Sequence, residues 1–127
     1  MRILLARSDD GITWHKHGRV IDPTLCGGTD EDYVSIPRIF ALDDGGFLAL
    51  ALMGNDVYGL RSADASNWTC QADAPLFSIS LIDGSDRVHS YAALERDGEI
   101  KLLVEALFTS PDGDVTSNLW AAEVIET

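Results

Sequence analysis

Apolar residues recur along this chain in short runs broken by clusters of Gly, Asp, Ser, Thr and Pro, the pattern of strands and turns. Nine strands are predicted, near residues 1–7, 13–21, 34–42, 47–53, 57–63, 67–77, 88–95, 99–107 and 118–125, with no helix. The intervening segments 22–32, 78–87 and 109–117 are rich in turn-forming residues and read as loops. An apolar strand running into Asp43-Asp44-Gly45 or Asp97-Gly98, and then into a second apolar strand, is the signal of a hairpin. The second strands, Phe47–Met53 and Ile100–Leu107, are apolar at nearly every position. A strand of that kind belongs to a sheet covered on both faces.

The pattern repeats. Ser8-Asp9-Asp10-Gly11-Ile12-Thr13-Trp14 and Ser62-Ala63-Asp64-Ala65-Ser66-Asn67-Trp68 share the frame Ser-x-Asp-x-x-x-Trp. Each follows an apolar run ending in Arg-Ser, at Arg7-Ser8 and Arg61-Ser62. A second match pairs Ile36-Pro37-Arg38-Ile39-Phe40 and its hairpin with His89-Ser90-Tyr91-Ala92-Ala93 and its hairpin. The offsets, 64 − 10 = 54 and 89 − 36 = 53, agree closely enough to define a repeating unit of several strands.

The first heptad resembles the Asp-box of sialidases and related five- and six-bladed propeller glycosidases. In those families the box forms the turn between the third and fourth strands of a blade. The familiar long form has one more residue between Asp and Gly, and the second copy here has Ser66 near the place of the glycine. The resemblance implies an all-β fold of antiparallel β-propeller-like blades. It also implies that Asp10 and Asp64 build turns rather than catalyse. A turn carboxylate can accept backbone N–H bonds while the Trp ring anchors the turn to the sheet.

With the boxes placed in that way, the single domain 1–127 divides into a half-blade over 1–22, a full blade over 33–77 and a partial blade over 87–127. About two blades cannot close a ring, since propellers generally use four to eight. Completion by homo-oligomerisation is expected, a trimer giving six blades and a dimer four or five. A fragment of a longer propeller, or a small β-sandwich or barrel, are the alternatives. Met1 directly at a strand is compatible with an independent protein that exchanges strands.

Composition narrows the partners. The net charge of −12 repels phosphate, so neither nucleic acid nor an anionic membrane is an expected partner. No apolar stretch has membrane-spanning length and no signal peptide is evident, so the cytoplasm is the default location. Cys26 and Cys70 are read as free thiols, two being too few for a disulfide framework.

The candidate binding residues follow from where propellers bind, at the channel mouth near the first strands of the blades. Asp32, Tyr33 and Arg38 lie there in one repeat, and His89 and Tyr91 in the next. Arg grips carboxylates and aromatic faces stack on sugars, so a saccharide is the expected ligand. Glu105 stands on an otherwise apolar strand, where burial would raise its pKa and suit it to acid catalysis. Asp30, Glu31 and Glu95 add carboxylates, but no spacing selects a glycosidase pair, and no catalytic residue is assigned. The leading expectation is a non-catalytic binding module. A glycosidase completed by assembly, or a structural interaction protein, are its rivals. No cofactor or metal is expected. His15 and His17 share one strand face without a third ligand, and Asp112-Gly113-Asp114 is too short for a calcium loop.

Overall fold

The structure is a computed structural model that describes residues 2–29, 32–71 and 74–126. It is all-β, with antiparallel sheets, none of them closed into a barrel. Among the described residues ten strands run in chain order: β1 (Ile3–Arg7), β2 (His15–Ile21), β3 (Val34–Ala41), β4 (Phe47–Met53), β5 (Asp56–Ser62), β6 (Thr69–Cys70), β7 (Phe77–Ser78), β8 (Arg87–Arg96), β9 (Glu99–Thr109) and β10 (Val115–Glu126). Among the described residues two short 3-10 turns, Pro23–Cys26 and Ile79–Leu81, interrupt them.

Three sheets result. β1 pairs with β2; β3, β4, β5 and β6 lie side by side with β7 also on β5; and β8, β9 and β10 form the third. The chain divides into two compact units, one of Met1–Gly54 and Tyr58–Ala74, the other of Asn55–Val57 and Pro75–Thr127.

The first unit has its core where β4 runs, with Leu48 to Met53 all buried. Ile21, Val34, Leu60 and Trp68 pack with Ala49, Ala51 and Met53. β4 therefore has both faces covered, as its sequence requires. In the second unit β9 buries Ile100, Leu102, Val104 and Ala106 on one face, and on the other Leu107 alone. Leu103 and Glu105, on its other face, are half-buried. That face is partly open to solvent, against the expectation of cover on both sides.

Turn chemistry sets the hairpins. Asp97 and Gly98 both have positive φ, 54° and 79°, which gives the tight turn between β8 and β9 the twist of its strands. Between β3 and β4, Gly45 takes φ 84° and the Asp44 carboxylate accepts from Gly46 N–H.

The two heptads fold alike. Asp10 Oδ1 accepts from the N–H groups of Ile12 and Thr13 at 2.8 and 2.7 Å. Asp64 Oδ1 accepts from Ser66 and Asn67 N–H at 2.9 and 2.8 Å. In each turn the leading serine, Ser8 or Ser62, donates its hydroxyl to that carboxylate. The Thr13 N–H, then the Ile12 N–H and the Ser8 hydroxyl, pull the Asp10 carboxyl down to about 2. Asn67, through its N–H and then its side chain, followed by Ser66, holds Asp64 well below the ordinary carboxylate range. The tryptophans part company. Trp68 is buried at 8 % and donates Nε1–H to Ala65 O, whereas Trp14 is 61 % exposed. One turn also braces the other, since Arg7 donates to Asp64 O at 2.9 Å and to the Ser66 hydroxyl.

Two expectations need correction. The strand over 67–77 is only the two short pieces β6 and β7. The heptad takes Asn67 and Trp68 for its turn, and Pro75 lacks the N–H that a ladder needs. The cysteines are not free: Cys26 and Cys70 form a disulfide, their Cα atoms 5.3 Å apart. It fastens the linker that follows β2 to the edge strand β6, a proximity that a separation of 44 residues does not advertise.

Candidate functional site

The first strands of the two hairpins carry the same irregularity. Along β3, Ser35 faces Leu52 and Arg38 faces Leu50, so Ile36 and Pro37 together oppose one residue of β4. Along β8, Val88 faces Ala106 and Ser90 faces Glu105, so His89 is an extra residue. Ile36 and His89 are the very residues that the repeat aligns. Both are β-bulges, which re-aim side chains and cluster beside functional sites. Ile36 has φ 50°, a left-handed conformation that β-branched residues rarely adopt.

The second bulge organises a polar group on the open face of its sheet. Because His89 is the extra residue, Ser90 is brought opposite Glu105, and its hydroxyl donates to Glu105 Oε2 at 2.8 Å. The Ser117 hydroxyl on β10 also reaches that carboxylate, and His89 adds a favourable charge interaction. Ser90 first, then Ser117, then His89 lower the Glu105 pKa, and burial opposes them only in part. The expectation that burial would raise it is therefore overturned. The strand face is half-open, and two hydroxyls stabilise the anion. Such a carboxylate stays ionised and accepts hydrogen bonds; it does not hold a proton for delivery. Leu119, 70 % exposed, faces Glu105 from β10 and gives the patch an apolar edge.

The remaining sequence candidates are more dispersed. Asp32 is committed to the loop before β3. Its Oδ2 accepts from Thr29 N–H at 2.7 Å and from the Thr29 hydroxyl, while its carbonyl accepts from Arg2 at 2.9 Å. Tyr33 is 48 % exposed and follows in the chain. Arg38 lies past the first bulge, exposed, with Nη1 donating to Pro37 O at 3.1 Å. Tyr91 is buried at 3 %, so its ring is not offered to a ligand. Asp30 and Glu31 lie outside the described residues. The structure thus joins His89 and Glu105 and adds Ser90 and Ser117, which the sequence reading left out. A serine beside a bulge and another on the following strand gave no signal until the register was known.

His15 and His17 sit exposed on β2. Among the described residues no group of three or more His, Cys, Asp or Glu side chains is arranged to hold a metal ion. Also among them, no helix is long and apolar enough to cross a membrane. No protein-family model matches this chain, and no curated protein matches it.

Proposed function

We propose that this chain is a non-catalytic, propeller-type binding module that works as a homo-oligomer and takes a neutral saccharide. The observation that carries the reading is the Glu105 carboxylate, kept ionised between Ser90 and Ser117 on an open sheet face. A fixed carboxylate with lone pairs to spare, beside hydroxyl oxygens whose own protons point at it, offers a cluster of acceptors to the O–H groups of a sugar. The net charge of −12 disfavours an anionic ligand at the same place. Two Asp turns with matching hydrogen bonds, at blade-like spacing, support the repeat on which the propeller reading stands.

A glycosidase reading asks for a carboxyl that keeps its proton near neutrality, and Glu105 is shifted the other way. A glycan array followed by NMR titration tests the proposal. Neutral glycans are expected to bind and to move the Glu105 and Ser90 signals, and Glu105→Gln to weaken binding about tenfold, the loss of one charge-assisted hydrogen bond. An array without hits overturns the saccharide reading. Turnover of chromogenic glycosides that Glu105→Gln abolishes would make the protein an enzyme.

A further inference from the structure

The contact between Arg7 and the second heptad turn has a counterpart that this chain leaves unmade. Arg7 closes β1 and donates to Asp64 O and the Ser66 hydroxyl, so the arginine ending one repeat grips the turn of the next. Arg61 holds the equivalent place, next to last in β5 and directly before Ser62. Its guanidinium is exposed, has no hydrogen-bond or ion-pair partner among the described residues, and stands between two open hollows of about 320 and 370 Å3. The first heptad turn is the complementary vacancy. It has the same backbone hydrogen bonds as the second turn, yet among the described residues no arginine is seen to grip it, and Ile12 and Trp14 are 84 % and 61 % exposed. It also carries the exposed carboxylates of Asp9 and Asp10 where the second turn has Ala63 and Asp64.

We infer that Arg61 of one copy docks on the Ser8–Trp14 turn of a second copy. There it donates to Asp10 O, as Arg7 does to Asp64 O, and pairs with the Asp9 carboxylate. The occupant is a second copy because this chain already contains the contact once, between its own repeats, and because the charges are complementary. Ile12 replaces Ser66 in that turn, so the second hydrogen bond of Arg7 is exchanged for the ion pair to Asp9. The contact is head-to-tail, because Arg61 of one copy meets a different patch, the first turn, of the next, and such contacts close into rings or extend into filaments. The inference rests on the homo-oligomeric reading above and names its interface.

Light scattering after size-exclusion chromatography, across a dilution series, tests both. The wild type is expected to self-associate. Arg61→Glu and Asp9→Arg, neither of which removes a turn hydrogen bond, are each expected to weaken association about tenfold or more, because like charges then meet. The double variant R61E/D9R is expected to recover it. Circular dichroism matching the wild type establishes that each variant is folded, and if Arg61→Glu is not, Asp9→Arg alone carries the loss. A wild type that remains monomeric at every concentration ends both the oligomeric reading and this interface. Association that neither single variant weakens ends the interface and leaves the oligomer standing. Weakening that the double variant does not reverse also overturns the pairing.

Discussion

Cys26 and Cys70 are bonded to each other across 44 residues of sequence, tying the 3-10 turn after β2 to the short edge strand β6. β6 is only two residues long and keeps few ladder bonds of its own. The disulfide therefore replaces, at that edge, stability that a longer strand would provide. Closing a loop of this length removes chain entropy from the unfolded state worth about 4 kcal/mol. Urea unfolding with and without reductant checks this: the reduced protein, or Cys26→Ser/Cys70→Ser, is expected to lose about 2–4 kcal/mol. Unchanged unfolding on reduction would show that the pair contributes nothing in solution.

The two turn carboxylates predict the response to acid. Asp10 and Asp64 both have folded pKa values below the unfolded value of about 3.9, Asp10 at about 2. A depressed carboxylate stabilises the fold above its unfolded pKa and loses that contribution as pH falls through the folded one. Stability is thus expected to hold down to about pH 4 and then to decline toward pH 2. Asp10→Asn and Asp64→Asn should flatten that decline in melting scans across the range, since an amide cannot titrate. A decline as steep in Asp64→Asn as in the wild type would place the acid sensitivity elsewhere.

Trp14 and Trp68 occupy one motif position in two environments, and their substitutions should separate accordingly. Trp68→Ala removes a ring buried among Val34, Leu60 and Met53 and is expected to cost about 3–5 kcal/mol. Trp14→Ala, at an exposed site, is expected to cost within about 0.5 kcal/mol in dilute protein. Chemical unfolding of the two variants, side by side, measures the contrast. Equal costs would mean that the first tryptophan is covered in solution even by an isolated chain.

What the sequence made legible was local. Asp97-Gly98 announced its hairpin because both residues tolerate positive φ, and the heptads announced their turns because the carboxylate and its N–H donors lie within a few residues. What it concealed depends on register. Without His89 as an extra residue, the ladder that pairs Val88 with Ala106 would have set His89, not Ser90, against Glu105. Nothing in the composition of β8 marks that slip, and in β3 only Pro37 within a strand hinted at a bulge. The misjudged Glu105 pKa and the unnoticed Ser90 and Ser117 are one error, since the partners of a strand residue are fixed across the sheet. The disulfide was hidden for a related reason: the linker that carries Cys26 to β6 is irregular.

Glu105 gives the sharpest test of that cross-strand arrangement. Ser90 is the first cause of its lowered pKa, Ser117 the second, and the His89 charge the least. A carbon-detected NMR titration should therefore find Glu105 ionising below an ordinary glutamate. Ser90→Ala should move it upward, Ser117→Ala should move it upward by less, and His89→Gln least of all. Each substitution leaves the strand backbone in place, so the spectrum of the remaining amides serves as the control for folding. The same order should appear in ligand affinity if the ionised carboxylate is what the saccharide meets. A Glu105 that titrates at or above the ordinary value, or is indifferent to Ser90→Ala, would mean that Ser90 does not face it in solution. The bulge at His89 would then lose its part in the site.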